Sequence, residues 1–555
     1  MSVLSLEKQL LELKEAIQQT NKGVVLEGKL IHIVFISFGE PESRAYVCSG
    51  VSNTFEESWN KALVLAEKKI KNNKLNPKWF KTDIVTQIKE FSMRDFKNYI
   101  AGIKINYFRE GIAFDSNFKL SFLEQEVNAN GFIYENKQYN LKNLVWKNIN
   151  FYIKYNLGLK LLLDNDVVPK VYTFKTAGMF HDGSTYFKLG YDWLDNGRRY
   201  VENLDISLVK FIIEKSSEFL ASQVGEDGQF RYGYFPCFDK EINHYNILRH
   251  ASTTYSMIEA YEITKSHSLQ KAITRALSFL VNEGVKYIED NEGQKCGFVI
   301  EKTDNNSIKL GANAAAVLAL SKYTEVFSDY KYMETLEKLS QGIAYFQNED
   351  GSFVHVLNYP DLSIREKHRI IYYDGEAAFS LMRLYSIDKN KKWLDMVEKA
   401  FEYFIQNKYW RYNDHWLSCC SYELFLHKPL HKYLEFNLKN VEGILDFCLA
   451  RETTFPTLLE LLMASNKLID KCRKDNIHRE VIAGFDLKKL ETATIHRAKH
   501  QLNGLMFPEV AMYFKVPKNI LWGFYIRHHS FRVRIDDIEH NLSGYCNYYQ
   551  RIRGV

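Results

Sequence analysis

The chain has 555 residues, of which 46% are hydrophobic and 25% charged, and its formal net charge is +5. A chain of this length is too long to fold around a single hydrophobic core, and its proportions of hydrophobic and charged residues exclude a disordered chain. We therefore expect two or more folded domains. The small net charge, without a dense basic run, argues against a nucleic-acid partner.

Cysteine usage and the N-terminal residues indicate the compartment. The eight cysteines are scattered without a C-x-x-C pair, which is typical of reduced thiols and not of a disulfide framework. The first twenty residues form an amphipathic charged helix pattern and not the apolar run of a signal peptide. No run approaches the roughly 18 apolar residues of a membrane span. We therefore expect a cytoplasmic protein without membrane insertion.

Residues 1–170 are predicted to form an α+β domain. GKLIHIVFISFG (28–39) and SRAYVCSG (43–50) are typical of paired strands. Thr54, with Glu57 three residues later, predicts a capping box at the start of a helix. Residues 171–204 are predicted to be a connecting segment.

The order of elements in about the first 130 residues resembles the AMMECR1 family of small α+β domains. The match rests on a helix, two strands, a helix, a strand and the stretch from Gly111 to Val127. The family's R-G-C-I-G stretch is replaced here by RAYVCSG (44–50), so no function follows from the resemblance.

An internal repeat begins after residue 205. STTYSMIEAY (252–261), AAAVLALSKY (314–323) and EAAFSLMRLY (376–385) each begin with small residues and end with tyrosine, and they are spaced 62 residues apart. A period of this length suits one pair of helices, and small residues allow the close packing that inner helices need. Residues 205–555 therefore predict a mainly helical (α/α)6-type toroid, so that the whole chain is a multidomain α+β protein. An open solenoid is the competing arrangement.

Two motifs resemble those of known toroids. QNEDGSF (347–353) is similar to the Q-x-x-D-G-S-W/F turn of terpene cyclases and related α/α toroids. NILRHASTTY (246–255) and YYDGEAAFSLMRLY (372–385) resemble inner-helix starts of six-hairpin glycosidase-like proteins. The resemblance covers about 350 residues and implies a fold more than a reaction, because these motifs stabilise turns between helices.

The repeat brings polar residues to one rim if the ring closes. In the 62-residue register, His250 corresponds to Asp374 and Ser252 to Glu376, with Arg249 and Asn313 between them. Asp374 and Glu376 at a helix N-terminus would be held ionised by the helix dipole and could act as a general base or bind substrate hydroxyls. Helix capping is the alternative role for both carboxylates.

Three further groups are candidates for the same rim. A basic pair at a helix start is unfavourable for the dipole, so Arg249 and His250 are predicted to face substrate, with a structural role as the alternative. Asp414 and His415 begin the next hairpin and could either join the rim or cap a helix. The densest polar cluster contains His528, Arg532, Arg534, Asp536, Asp537 and His540.

The C-terminal cluster allows two interpretations. In a helix that begins near Arg532, Asp536 and His540 share one face and could position an acid and a base, while Arg532 and Arg534 suit a carboxylate or phosphate of the substrate. Metal sites need three or four convergent ligands, and only two can be placed here. We therefore predict no metal and no cofactor.

These residues support three hypotheses. The first is an enzyme that acts on a saccharide or similar small polar substrate, as a hydrolase, lyase or epimerase, using Asp374 or Glu376 with His250 or His540. Hydrolysis would need two carboxyls across the bond, such as Asp374 with Asp536 or Asp537. The second is a peptide-modifying or cyclase-like toroid, prompted by the 347–353 turn and the Cys419–Cys420 pair. The third is a non-catalytic helical-repeat scaffold. The sequence leaves the oligomeric state open.

Overall fold

The computed structural model describes residues 6–136, 141–191, 193–289, 293 and 295–554. Its helices are α1 (Leu6–Gln18), α2 (Phe55–Asn73), α3 (Met93–Ala101), α4 (Glu124–Ala129), α5 (Trp146–Tyr152), α6 (Ile206–Gln223), α7 (Ile247–Thr264), α8 (His267–Phe279), α9 (Leu310–Phe327), α10 (Met333–Phe346), α11 (Tyr372–Asp388), α12 (Lys391–Gln406), α13 (His415–His427), α14 (His431–Glu442), α15 (Leu445–Ala450), α16 (Thr457–Asp475), α17 (Arg479–Ala483), α18 (Leu487–His500), α19 (Pro508–Ala511) and α20 (Ile535–Arg553).

The strands are shorter on average than the helices. They are β1 (Val24–Leu26), β2 (Lys29–Glu40), β3 (Ser43–Ser52), β4 (Trp79–Ser92), β5 (Gly111–Ala113), β6 (Ser121–Phe122), β7 (Ile133–Asn136), β8 (Leu141–Leu144), β9 (Lys170–His181), β10 (Tyr186–Lys188), β11 (Gly233–Phe235), β12 (Lys240–Glu241), β13 (Val285–Glu289), β14 (Lys295–Glu301), β15 (Ser307–Lys309), β16 (Val356–Leu357), β17 (Ile364–Glu366) and β18 (Val533–Arg534).

The chain divides into two compact units, and neither is one continuous segment. Unit 1 comprises Met1–Glu202, Tyr234–Lys240 and Asn503–Val533. Unit 2 comprises Asn203–Gly233, Glu241–Leu502 and Arg534–Val555. Residues 503–533, which the sequence placed with the toroid, belong to unit 1. They contain one four-residue helix and short 3-10 turns, so they lack the material for a helical hairpin.

Unit 1 is built around an eight-stranded antiparallel sheet. The strand order is β1-β2-β4-β9-β5-β6, with β3 added beside β2 and β10 beside β9. The long strands β4 and β9 pair along their whole length, from Phe80 opposite His181 to Ser92 opposite Lys170. The predicted pair of strands at 28–39 and 43–50 is confirmed as β2 and β3.

Helix α2 packs closely on this sheet. The predicted N-cap is confirmed, because the Thr54 hydroxyl accepts a hydrogen bond from the Glu57 amide at 3.3 Å. The Glu57 carboxylate instead accepts from the Ser52 hydroxyl, so the box is not closed. A Cβ on Gly50 would lie 1.9 Å from the Ser58 carbonyl oxygen of the helix. Glycine at position 50 therefore permits the close approach that buries Trp59 against the sheet.

Unit 2 contains a closed ring of six inner helices. Helix α7 contacts α9, α9 contacts α11, and the cycle continues through α13, α16 and α20 back to α7. Six outer helices pack around them, with α8 on α7, α10 on α9, α12 on α11, α14 on α13, α18 on α16 and α6 on α20. The mainly helical arrangement predicted from the repeat is therefore present, and the ring is closed and not an open solenoid.

Small residues in the inner helix α9 let it be buried on nearly all sides. In α9 every residue from Leu310 to Ser321 is buried, which suits a helix with neighbours on both flanks and outside. One feature was not expected from the sequence. Unit 2 also holds a five-stranded antiparallel sheet in the order β13-β14-β15-β16-β17, whose strands were missed because three of them have only two or three residues.

Within the described residues, no helix has the length and apolarity needed to cross a membrane.

Candidate active site

Polar side chains gather at the N-terminal turns of five inner helices. Because the inner helices alternate with outer ones, these turns lie at the same end of the ring. Helix α7 contributes Arg249 and Ser252, α11 contributes Asp374 and Glu376, α13 contributes His415, α16 contributes Glu460, and α20 contributes Asp536, Glu539 and His540.

Asp374 is held by a histidine that the sequence did not single out. The Arg369 amide donates to His355 Nδ1 at 2.9 Å, which leaves the proton on Nε2. That nitrogen donates to Asp374 Oδ2, also at 2.9 Å. Both side chains are buried, and burial raises the pKa of Asp374 in spite of the His355 hydrogen bond. Asp374 therefore has a fixed partner inside the protein.

Glu376 lies two residues after Asp374 on helix α11 and has a different environment. Its Oε2 accepts no hydrogen bond from any residue the structure describes, although it is buried. A Cβ on Gly311 would lie 2.3 Å from this oxygen, so the glycine makes room for the carboxyl group. Burial, followed by the charges of Asp414 and Glu539, raises the pKa of Glu376 well above its usual value. This favours a protonated carboxyl group that can donate a proton.

Asp414 caps helix α13 and sits beside His415. Its carboxylate accepts from the amides of Trp416 at 3.1 Å and Leu417 at 3.2 Å, which matches the capping alternative. The Nδ1 of His415 lies 3.3 Å from Asp414 Oδ1. The buried Nε2 of His415 has no hydrogen-bond partner among the described residues. An oriented imidazole with one unused nitrogen suits a general base.

His540 lies between two carboxylates. Its Nδ1 is 3.0 Å from Glu460 Oε2 and 3.8 Å from Glu539 Oε1. Burial works against the charged imidazole, but the charges of Glu539 and Glu460 outweigh it and raise the pKa of His540 to about 10. The other oxygen of Glu539 accepts from the Ser252 hydroxyl at 2.6 Å, and burial raises the pKa of Glu539 to about 7.

The two imidazoles are neighbours that share one carboxylate. The rings of His415 and His540 have centroids 5.4 Å apart and are nearly perpendicular. Glu460 Oε2 lies 3.9 Å from His415 Nε2 as well as within hydrogen-bond distance of His540. The result is a cluster with one cationic imidazole, one imidazole bearing an unused nitrogen, and carboxyl groups on either side.

The predicted arginines are engaged in an ion-pair network. Arg249 Nε lies 2.8 Å from Asp536 Oδ2, and its NH1 donates to the Tyr232 hydroxyl at 2.6 Å. Arg534 also pairs with Asp536, through NH2 at 2.6 Å. Asp536 thus bridges two guanidinium groups, and both of its carboxylate oxygens are already engaged inside the protein. Asp537 is buried on the same helix turn.

His250 and Asn313 make hydrogen bonds to the outer layer. The Nε2 of His250 donates to the Ala276 carbonyl at 2.8 Å, and its Nδ1 accepts from Tyr245 at 2.7 Å. Burial lowers the pKa of His250 to about 4. The Asn313 amide donates to the carbonyls of Gly297 and Leu339. Both side chains are 0% exposed, and these contacts match the structural alternative and not substrate binding.

Two predicted substrate-binding residues, His528 and Arg532, belong to unit 1. The helix predicted to begin near Arg532 begins instead at Ile535. His540 stays on the face predicted for it, but His528 and Arg532 precede the helix and line a cavity in unit 1.

Two groups within the described residues have the spacing of metal ligands. They are His355 with His368 and Asp374, and His415 with Glu460 and His540. In the first group both nitrogens of His355 already have hydrogen-bond partners. The second group could hold a divalent cation in the place of the proton shared by His540 and Glu460. Neither group contains Cys419 or Cys420, whose pKa values are raised well above the usual range by burial, so reactive thiolates are disfavoured.

Sequence reasoning missed Ser252 as a partner, together with His355, Glu460 and Glu539. Glu539 directly precedes His540 and lies within the span of the predicted C-terminal cluster, but it was not singled out. Glu460 lies in an ordinary leucine-rich helix, TLLELLMASNKL, and nothing local distinguishes it. His355 follows the 347–353 turn, and only tertiary structure brings it to Asp374.

The comparisons with known proteins gave only structural matches. No protein-family model and no curated relative matches the sequence. A sugar epimerase from a ruminal bacterium matches with 14% identity over 63% of this chain and 99% of its own, with a TM-score of 0.48. A cellobiose 2-epimerase from Bacillus thermoamylovorans matches with 11% identity over 62% and 99%, with a TM-score of 0.46. A GH76 α-mannanase from Bacteroides thetaiotaomicron matches with 10% identity over 63% and 98%, with a TM-score of 0.45. All three TM-scores are below 0.5, and none of these matches supports the AMMECR1 resemblance.

Proposed function

We propose that this chain is an enzyme that acts on a saccharide or similar polar substrate by acid/base catalysis at one end of the helical ring. The observation that carries the proposal is the cluster of His415 and His540 with Glu376, Glu460 and Glu539. Four different inner helices supply these residues, and all of them except the partly exposed His540 are buried.

The cluster offers a proton acceptor and proton donors side by side. The unused Nε2 of His415 can take a proton, and His540, charged at neutral pH, can return one. Protonated Glu376 can polarise a substrate oxygen by hydrogen bonding. This set favours removal and return of a proton next to a carbonyl group, as in the epimerisation or isomerisation of a reducing sugar.

Hydrolysis is less well supported by the contacts. It requires two carboxyls on opposite sides of a glycosidic bond, and the predicted pair was Asp374 with Asp536 or Asp537, so that both versions depend on Asp374. Asp374 is bonded to His355, and Asp536 is bridged between Arg249 and Arg534. Neither carboxylate is therefore available without breaking an interaction inside the protein.

The test uses reducing mono- and disaccharides in D2O. Proton transfer at a carbon atom exchanges that position with solvent, so the proton NMR signal of the sugar's C2 position should decrease in the presence of the protein. His415→Gln and His540→Gln should each slow exchange by about 100-fold or more. His267→Gln, at an exposed histidine, should leave the rate unchanged.

Three outcomes would contradict parts of the proposal. New reducing ends without deuterium uptake would identify a hydrolase. Loss of activity after chelation, restored by added zinc, would replace proton transfer by His540 with a metal-based role for His415, Glu460 and His540. No reaction with any saccharide in the panel would overturn the substrate class.

A further inference from the structure

Unit 1 contains a cavity that is separate from the cluster described above. It has a volume of about 550 Å³, which is within the range of small-molecule sites. Its walls come from three separate parts of unit 1, namely 105–148, 235–238 and 528–532. We propose that this cavity binds an anionic sugar, such as a sugar phosphate or a sugar acid.

Aromatic rings form one side of the cavity. Tyr134 is 58% exposed and Phe238 is 55% exposed, and both line the cavity together with Phe235. Two exposed aromatic side chains at one cavity present flat faces on which a sugar ring can pack.

Three asparagines supply oriented polar groups. The amide nitrogens of Asn106, Asn128 and Asn148 donate to carbonyls within unit 1, at 2.9, 2.8 and 2.9 Å. None of the three amide oxygens accepts a hydrogen bond from a residue within the described ranges. Fixed amides with oxygens still able to accept are suited to sugar hydroxyls, which donate.

The lining carries basic side chains and no carboxylate among its described residues. His528, His529 and Arg532 line the cavity, and no aspartate or glutamate is among the described residues that do so. Arginine and histidine together favour a carboxylate or phosphate group on the ligand. The sequence predicted that Arg532 would bind a carboxylate or phosphate, and we now place that role in unit 1 and not in the helical ring.

The basic wall is held rigidly. Asn106 donates to the Arg527 carbonyl at 2.9 Å, and Arg527 NH1 donates back to the Asn106 carbonyl at 2.9 Å. Asn106, Ser530 and Phe531 all have positive φ angles, of 63°, 58° and 56°. Such backbone is costly for residues other than glycine and is concentrated at functional sites. The strained turns are therefore fixed in place before a ligand arrives.

The experiment measures binding to the full chain by titration calorimetry. The probes are glucose 6-phosphate, glucuronate, neutral glucose and inorganic phosphate. At least one of the two anionic sugars should bind more tightly than both glucose and phosphate. Phe238→Ala should weaken that binding by about tenfold, the usual range for loss of an aromatic packing partner. Phe151→Ala, at a phenylalanine that is 61% exposed and outside the lining, should leave it unchanged.

Arg532→Gln tests the contribution of the positive charge separately from that of the aromatic side chains. It should remove the preference for the anionic sugar over glucose, and a thermal melt equal to that of the wild type would show that the fold is intact. If Arg532→Gln unfolds the chain, the comparison of glucose 6-phosphate with glucose in the wild type still decides the point. Equal binding of glucose and the anionic sugars, equal binding of phosphate alone, or no binding of any probe at 10 mM would overturn the proposal. None of these results depends on activity at the helical ring.

Discussion

Replacing Glu460 by glutamine should lower the pKa of His540 by about 1 to 2. Glu460 Oε2 is 3.0 Å from His540 Nδ1, and a hydrogen bond to a charged group contributes about 1.5–3 kcal/mol. One pKa unit corresponds to about 1.4 kcal/mol. Since Glu539 remains 3.8 Å away, the pKa should stay above the ordinary value of a histidine, at about 8 to 9, against about 10 in the wild type.

The measurement is a pH titration of imidazole nitrogens in histidine-labelled protein by NMR. The chain has 16 histidines, so the His540 signal is assigned by its loss in His540→Gln. The control is Glu435→Gln, which removes a surface carboxylate 3.8 Å from His431 and should not move His540. A wild-type His540 that titrates near 6.5, or one unaffected by Glu460→Gln, would refute the assignment of His540 as a cation held by two carboxylates.

The same shift makes a statement about stability. Because folding raises the pKa of His540 from 6.5 to about 10, its contribution is complete below pH 6.5 and is lost as the pH rises toward 10. The Glu460→Gln variant has less of this contribution to lose. The difference in Tm between wild type and variant should therefore stay constant up to the variant's folded pKa of about 8 to 9 and shrink from there to about pH 10, as followed by thermal melts at a series of pH values.

Three further changes test other parts of unit 2. Glu376→Gln should reduce activity about 100-fold yet raise Tm at pH 8 relative to wild type. The reason is that a carboxyl whose pKa is raised by burial costs the folded protein stability above pH 4.5. A variant that is less stable at pH 8 than at pH 5, relative to wild type, would contradict this. Gly311→Ala should destabilise the protein by about 1–3 kcal/mol in urea unfolding, because the added carbon would meet Glu376, whereas Gly484→Ala, with no atom nearer than 3.6 Å, should not. His250→Leu should lower the free energy of unfolding by about 2 kcal/mol at pH 8. The wild type should lose stability as the pH falls from 6.5 to about 4, because the unfolded histidine takes up a proton that the buried one does not, and the variant should lack this loss. An unchanged acid transition would argue against the buried role of His250.

The repeat predicted the ring well because the small residues that recur in it are the ones that closely packed inner helices require. The three segments, spaced 62 residues apart, lie in α7, α9 and α11. The short strands β15 and β16 could not be found in the same way, since two or three residues carry no periodic pattern and pair only when the rest of the unit is in place.

The repeat predicted individual site residues less well, because the register is not constant. Helices α7 and α9 begin at 247 and 310, a separation of 63, whereas α9 and α11 are separated by 62. His250 thus corresponds to Asn313, and each bonds a carbonyl of the outer layer, Ala276 and Leu339. An error of one residue turns a side chain by about 100° around a helix, enough to exchange the ring interior for the outer layer.

The discontinuous units have a consequence for synthesis of the chain on the ribosome. Unit 1 includes Asn503–Val533, and the ring of unit 2 is closed by α20. A nascent chain emerges from its N-terminus at about 5–20 residues per second, so the earliest residues of both units wait for tens of seconds before Asn503–Val533 and α20 are made. Exposed strand edges and unclosed helices during that interval would make the growing chain a substrate for chaperones. His540 and Glu539 lie on α20, which follows the other five inner helices along the chain, so the acid/base cluster cannot be complete before this helix is made.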